Sequence, residues 1–144
     1  MHGDHTGGYR KIMDNFPVRS LIIKADGTSD STHGNAYKNV INIAKKKGAY
    51  ICNAKNSECQ NFALGNIAFK LYNTDYIKFK GSALQRNKFE NANSLCAVAT
   101  INGRRIYFSG DIGNYYGYDR ENIVDAQVGD IDVYKVAHHG YVSF

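Results

Sequence analysis

The chain has 144 residues, a formal net charge of +5 and a sequence pI of about 9.1, with 43% hydrophobic and 22% charged residues. That is enough chain, with ordinary enough proportions, for one globular domain with a sizeable core. No segment approaches the ~18 continuous apolar residues of a membrane span, and no repeat or low-complexity tract suggests a solenoid or a disordered tail.

The modest positive charge favours an anionic substrate such as a phosphodiester, a nucleic acid or a cell-wall polymer. A solvated lysine face accounts for it equally well. The three cysteines, Cys52, Cys59 and Cys96, are odd in number and lack Cys-x-x-Cys spacing, so reduced thiols are expected, with a Cys52–Cys59 disulfide as the alternative.

In chain order, the first stretch is Met1-His2-Gly3-Asp4-His5-Thr6-Gly7-Gly8. Its clustered imidazoles and carboxylate form a compact set of metal ligands, and the glycines let the backbone turn beneath an ion. The competing reading is a solvated, His-rich chain end. Tyr9 to Phe16 predicts a short helix closed by Pro17, and Val18 to Ile23 predicts a buried strand. Asp26 to Gly34 predicts a loop carrying an exposed His33. The clearest helix runs from about Asn35 to Lys47. There Tyr37, Val40, Ile41 and Ala44 share one face, Lys45-Lys46-Lys47 complement the helix dipole and Gly48 stops it.

Ala49 to Cys52 predicts a short strand, and Asn61 to Leu64 with Ile67 to Tyr72 a hairpin about Gly65-Asn66. Tyr76 to Glu90 reads as a basic loop bearing Lys78, Lys80, Arg86 and Lys88, either an anion-steering element or a polar insertion. Leu95 to Ile101 and Arg104 to Phe108 form a second hairpin, joined by Asn102-Gly103. Tyr115, Tyr116 and Tyr118 occupy a Gly-containing loop; they either stack on a ligand or cover a core edge. Asp119 to Ala126 then predicts a helix and Ile131 to Val136 the last strand.

Two strands end in chemically capable side chains. Phe108-Ser109-Gly110-Asp111-Ile112 delivers a carboxylate and Val136-Ala137-His138-His139-Gly140 an imidazole pair. Together with the first stretch, these motifs resemble the metallo-β-lactamase superfamily, whose hallmark is His-x-His-x-Asp-His followed by a bridging Asp and a late His. The resemblance is closest to the branch holding the metallo-β-lactamase domain of the DNA-uptake competence channel and the teichoic-acid phosphorylcholine esterases. That branch carries Asn-x-x-Ser-Leu, Gly-Asp and Lys-Val-x-His-His-Gly. Here those read Asn91-Ala92-Asn93-Ser94-Leu95, Gly110-Asp111 and Lys135-Val136-Ala137-His138-His139-Gly140.

The resemblance implies an α/β fold, an αββα four-layer sandwich. The first hallmark His would stand just before Met1, and the family runs on beyond Phe144. Residues 1–144 are therefore expected to be a single-domain fragment lacking N-terminal strands and a C-terminal strand and helix. The implied ligands of two divalent ions, Zn²⁺ with Mn²⁺ or Fe²⁺ as alternatives, are His2, Asp4, His5, Asp111 and one of the late pair, His138 being preferred over His139, with Asp111 bridging. Asp4 and the other member of the pair, His139 on that preference, are the implied catalytic residues, the imidazole contacting substrate or protonating the leaving group. The mid-chain His of many members has no counterpart in Asn91 to Ser94, where Asn91 and Ser94 are expected to order the loop. The implied activity is metal-dependent hydrolysis by a metal-bound hydroxide, on a nucleic acid or a phosphorylcholine-bearing polymer. The rival expectation is a metal-poor, non-catalytic binding or structural module on the same scaffold.

Overall fold

The computed structural model describes the backbone of residues 3–24 and 31–141 and the side chains of residues 5–24 and 35–141. The expectations for the side chains of His2, Asp4 and His33 lie outside the described residues, as does the segment 25–30.

The chain begins with a single turn, α1 (Gly3–Thr6), followed by α2 (Tyr9–Asn15), which ends ahead of Pro17. Strand β1 (Ser20–Ile23) pairs in parallel with β2 (Tyr50–Asn53), in the register Ser20↔Tyr50 to Ile23↔Asn53. Parallel pairing needs a crossover, and α3 (Ser31–Lys46) lies within it. The α3 face predicted from periodicity is the buried one: Tyr37, Val40 and Ala44 are all buried, and Ala44 packs with Met13 and Ala49. The helix starts earlier than expected, which corrects the loop reading for residues 31–34. Propagating a helix costs far less than nucleating one, so an anchored apolar stripe extends through poor helix formers such as Ser31 and Thr32.

Next to β2, the expectation of reduced thiols is overturned: Cys52 and Cys59 form a disulfide. The intervening polar stretch holds a short helix, α4 (Ser57–Gln60). The bonds Asn56 N→Asn53 O (2.9 Å) and Cys59 N→Asn56 O (3.0 Å) fold that stretch back on itself. They bring the two Cα atoms to 5.9 Å, inside the range a disulfide spans.

The second sheet has five strands in sequential order: β3 (Asn61–Leu64), β4 (Ile67–Tyr72), β5 (Cys96–Ile101), β6 (Arg104–Phe108) and β7 (Val133–Lys135). The first four are antiparallel; β7 runs parallel to β6 after the crossover helix α6 (Arg120–Val128). Both predicted hairpins form. At the second, Asn102 (φ 49°) and Gly103 (φ 77°) are both left-handed, as a two-residue turn matched to strand twist requires. One sheet face carries Tyr72, Cys96, Val98 and Tyr107, packed against Val124 and Val128 of α6. The Asp132 carboxylate fixes the start of β7: its oxygens accept from Arg104 Nη1 (2.6 Å) and from the Arg105 backbone amide (2.8 Å).

Tyr76 to Glu90 is not simply a loop. It contains α5 (Ala83–Phe89), started by a reciprocal cap between Ser82 and Gln85: the Gln85 amide donates to Ser82 Oγ (3.3 Å) and the Ser82 amide to Gln85 Oε1 (2.9 Å). Phe89 closes the helix inside a small core with Ala92 and Tyr115, flanked by Ile77 and Phe79. The architecture is therefore mixed α+β, with one parallel pair and one mixed sheet. No helix among the described residues is long and apolar enough to cross a membrane.

The disulfide closes a short loop, its cysteines standing seven positions apart in sequence. Chain-entropy reasoning gives its reduction a cost of about 2 kcal/mol in unfolding free energy. Urea denaturation with and without reductant checks this; superimposable curves would show that the bridge adds nothing.

Candidate metal centre

Apart from His5 of α1, the polar groups of the site come from one end of the five-stranded sheet. Register pairs Tyr72 with Cys96, Ala97 with Phe108 and Phe108 with Lys135. The segments after β4, β6 and β7 and the segment before β5 therefore emerge together. Gly110 (φ 63°) turns the chain out of β6 so sharply that an added Cβ would stand 3.0 Å from Ser94 Cβ. The turn is held on both sides. The Asp111 amide donates to Ser94 Oγ (3.1 Å), and the Gly110 carbonyl accepts from the His138 amide (3.1 Å) and from Lys135 Nζ (3.3 Å). Buried Ser109 completes the tie through Oγ→Lys135 O at 2.9 Å.

These constraints bring together His5, Asp111 and His139, whose ligand atoms all lie within 4.8 Å of one another. His5 Nε2 is 2.7 Å from Asp111 Oδ2, and His139 Nε2 is 3.8 Å from Asp111 Oδ1. The carboxylate is nearly fully buried (4% exposed), whereas the His5 and His139 side chains are 36% and 49% exposed. Asp111 Oδ1 has no hydrogen-bond donor among the described residues. An unsatisfied buried acceptor costs about 1–3 kcal/mol, and a cation beside it would remove that cost. Two imidazoles and one carboxylate suit Zn²⁺, Mn²⁺ or Fe²⁺. For ligands about 2.0–2.1 Å from a tetrahedral ion, mutual distances of about 3.4 Å follow, between the two observed here. The donor set therefore fits a divalent ion.

The expected division of labour between the late histidines is reversed in geometry. His139, expected to face substrate, is the member of the cluster, with its ring 5.4 Å from that of His5. His138, expected as the ligand, turns instead to Tyr115, whose hydroxyl is 3.4 Å from Nδ1. The cause is the backbone: His138 (φ 45°) and His139 (φ 54°) are consecutive left-handed residues, so their side chains do not follow the alternation of the preceding strand. Each such conformation costs on the order of 1–2 kcal/mol, a strain that is concentrated at functional sites.

Several contributors were not singled out from the sequence. Buried Asn73 donates through Nδ2 to the carbonyls of Ala92 (2.9 Å) and Ser94 (2.7 Å), and Arg120 donates to its Oδ1. Asn93 brackets the backbone of Ile77, accepting from its amide (2.8 Å) and donating to its carbonyl (2.9 Å). Asn91, which the sequence did single out as a loop-ordering residue, places Nδ2 3.3 Å from the Tyr115 hydroxyl. Polar residues that each bond two backbone groups leave no linear signal, because their partners are distant in the chain. Tyr116 and Tyr118 pack on Phe79 (ring centroids 5.0 and 6.0 Å apart), and so cover the edge of the Phe89 core.

A cavity of about 290 Å³ opens beside His5 and Asp111 and reaches Lys24 at the end of β1. Lys24 Nζ is buried and has no hydrogen-bond partner among the described residues. Burial, reinforced by the Arg120 cation, pushes its ammonium down to a pKa of about 7. No protein-family model matches the chain, and no curated protein matches it.

Gly110→Ala is expected to destabilise the fold by about 2 kcal/mol, since alanine would meet both the left-handed backbone and Ser94. Chemical denaturation reads this directly, and an unchanged midpoint would contradict the tight approach. A second expectation concerns pH. Unfolded Lys24 keeps its proton up to about 10.5 and the folded residue only to about 7, so the unfolded chain binds the extra proton between these limits. Stability should therefore rise across that window by on the order of 3 kcal/mol. Lys24→Met should flatten the rise and stabilise the protein at neutral pH. Parallel pH series of melting curves decide the matter.

Proposed function

We propose that this chain is a metal-dependent hydrolase of the metallo-β-lactamase type, with an αββα sandwich as its complete fold and phosphodiesters as its substrates. One observation carries the reading: two imidazoles from distant stretches of the chain, His5 and His139, converge on the buried Asp111 carboxylate, whose Oδ1 has no hydrogen-bond donor among the described residues. The strained His138-His139 backbone beside them supports it, as do the motifs by which the sequence resembles that superfamily.

On this reading His5, Asp111 and His139 hold one divalent ion. The two-ion centre implied by the resemblance would draw its remaining ligands from His2 and Asp4. A bound divalent ion acidifies a water ligand and neutralises charge on phosphoryl oxygens. The protein supplies orientation and proton transfer. Ser94 and the His138 amide clamp the Asp111 turn. The Tyr115 oxygen, which accepts from Asn91 Nδ2, lies beside His138 Nδ1 and orients the ring. With Nδ1–H of the imidazolium donating to that oxygen, the Nε2 proton is the one His138 can give to a leaving oxygen. His138 thus takes the role that the resemblance assigned to its neighbour.

The test combines metal content with hydrolysis of bis(p-nitrophenyl) phosphate. Asp111→Asn and His139→Ala should each lose the ion and the activity together. His138→Ala should keep the ion and lose roughly 10²–10⁴-fold in rate, the usual worth of a positioned general acid. A wild-type chain that binds no divalent ion would overturn the hydrolase reading and favour the non-catalytic module.

A further inference from the structure

We propose that Lys24 forms an oxyanion subsite at the inner end of the cavity, binding a non-bridging phosphoryl oxygen of a substrate whose reacting end lies at His5 and Asp111. This deepens the hydrolase reading and rests on it for the identity of the reacting end; the anion subsite itself is separately measurable.

Three observations carry the inference. First, Lys24 lines the same cavity as His5 and Asp111 of the metal-type cluster. At about 290 Å³ it lies near the lower limit of ligand pockets, suited to a phosphoryl group with a short substituent. Second, Lys24 is anchored for this task. The Tyr37 hydroxyl donates to the Lys24 carbonyl (3.3 Å), and the Ala54 amide holds the preceding Ile23 carbonyl (2.7 Å). Third, Nζ is buried with no acceptor among the described residues, although an ammonium carries three donors.

Its surroundings do not balance that charge. The nearest influences are the Arg120 cation from α6, the Cys96 thiol from β5, and the carboxylates of Asp75 and Glu90. Glu90 also lines the cavity, but its Oε1 already accepts from the Tyr76 hydroxyl at 2.5 Å. Burial outweighs the two carboxylates, so the ammonium is under-compensated in the free protein. An incoming oxyanion supplies what is missing: acceptor atoms and negative charge together. Phosphoryl oxygens fit this description; the neutral acyl oxygen of a lactone or thioester does not carry the charge. The subsite would thus select phosphoesters over the acyl substrates that a metal centre alone would admit.

The probe is inorganic phosphate, titrated by calorimetry into metal-free protein in the presence of chelator. Wild type should bind it, and Lys24→Met should bind it about tenfold more weakly or worse, the worth of a charge-assisted hydrogen bond. The Lys24→Met variant should retain the metal content of wild type. A second measurement needs no variant: in ¹³C-lysine-labelled wild type, saturating phosphate should shift the Lys24 Cε resonance toward its protonated position. Equal phosphate affinity in the two proteins, or an unmoved Cε signal, would overturn the subsite whatever the metal content. Loss of metal binding with the phosphate effect intact would overturn the hydrolase reading and leave an anion-binding cavity.

Discussion

The hydrogen bond from the His138 amide to the Gly110 carbonyl is the contact on which the candidate centre depends. It joins the turn leaving β6 to the turn leaving β7, and so brings a carboxylate and two imidazoles to one end of the sheet. Neither turn could be regular. Gly110 must be left-handed to clear Ser94, and the bond to it is made where three left-handed residues, His138, His139 and Gly140, follow in succession. A backbone bond among parallel-paired strands is dependable because the register of β6 and β7 is already fixed, by Ile106↔Val133 through Phe108↔Lys135 and by the Asp132 clamp at the other end. Rigid strands set the position, and the strained turns set the direction of the side chains.

Around that contact the polar residues form a supporting layer. Arg120 of α6 bonds Asn73 after β4, Asn73 bonds the carbonyls on either side of Asn93, and Ser94 bonds the amide of Asp111. Each link satisfies backbone groups that emerge unpaired from the sheet, which would otherwise carry the cost of an unmet hydrogen bond. Among the described residues, three buried polar atoms stay without a hydrogen-bond partner: Asp111 Oδ1, Lys24 Nζ and Arg120 Nε. The first two, of opposite charge, belong to residues that line one cavity.

Much of the fold was legible because its signals are local. Asn102-Gly103 predicts a turn by itself, and Tyr37, Val40 and Ala44 announce a buried face by spacing alone. The Ser82–Gln85 cap was equally local and was hidden by the lysines around it, which made α5 read as a basic loop. The Cys52–Cys59 bridge was not legible, because it depends on how the Asn53–Asn56 turn folds back, and spacing carries no such information. At the site, the motifs identified Asp111 and the His pair. Which imidazole faces Asp111 is decided by two positive φ angles, and those follow from tertiary bonding at Gly110.

Lys24 shows the limit from the other direction. A lysine closing an apolar strand reads as a solvated end, and the residues beside it give no reason to think otherwise. Its burial comes from elements far along the chain: the influence of Arg120 arrives with α6, that of Cys96 with β5, and Tyr37 of α3 seals the backbone. An ammonium there opposes folding, since a solvated position would avoid the desolvation. The fold tolerates it at the wall of a cavity that also reaches Asp111. A cost located there is informative. Structural packing would be served as well by methionine, whereas recognition of a phosphoryl oxygen requires the charge.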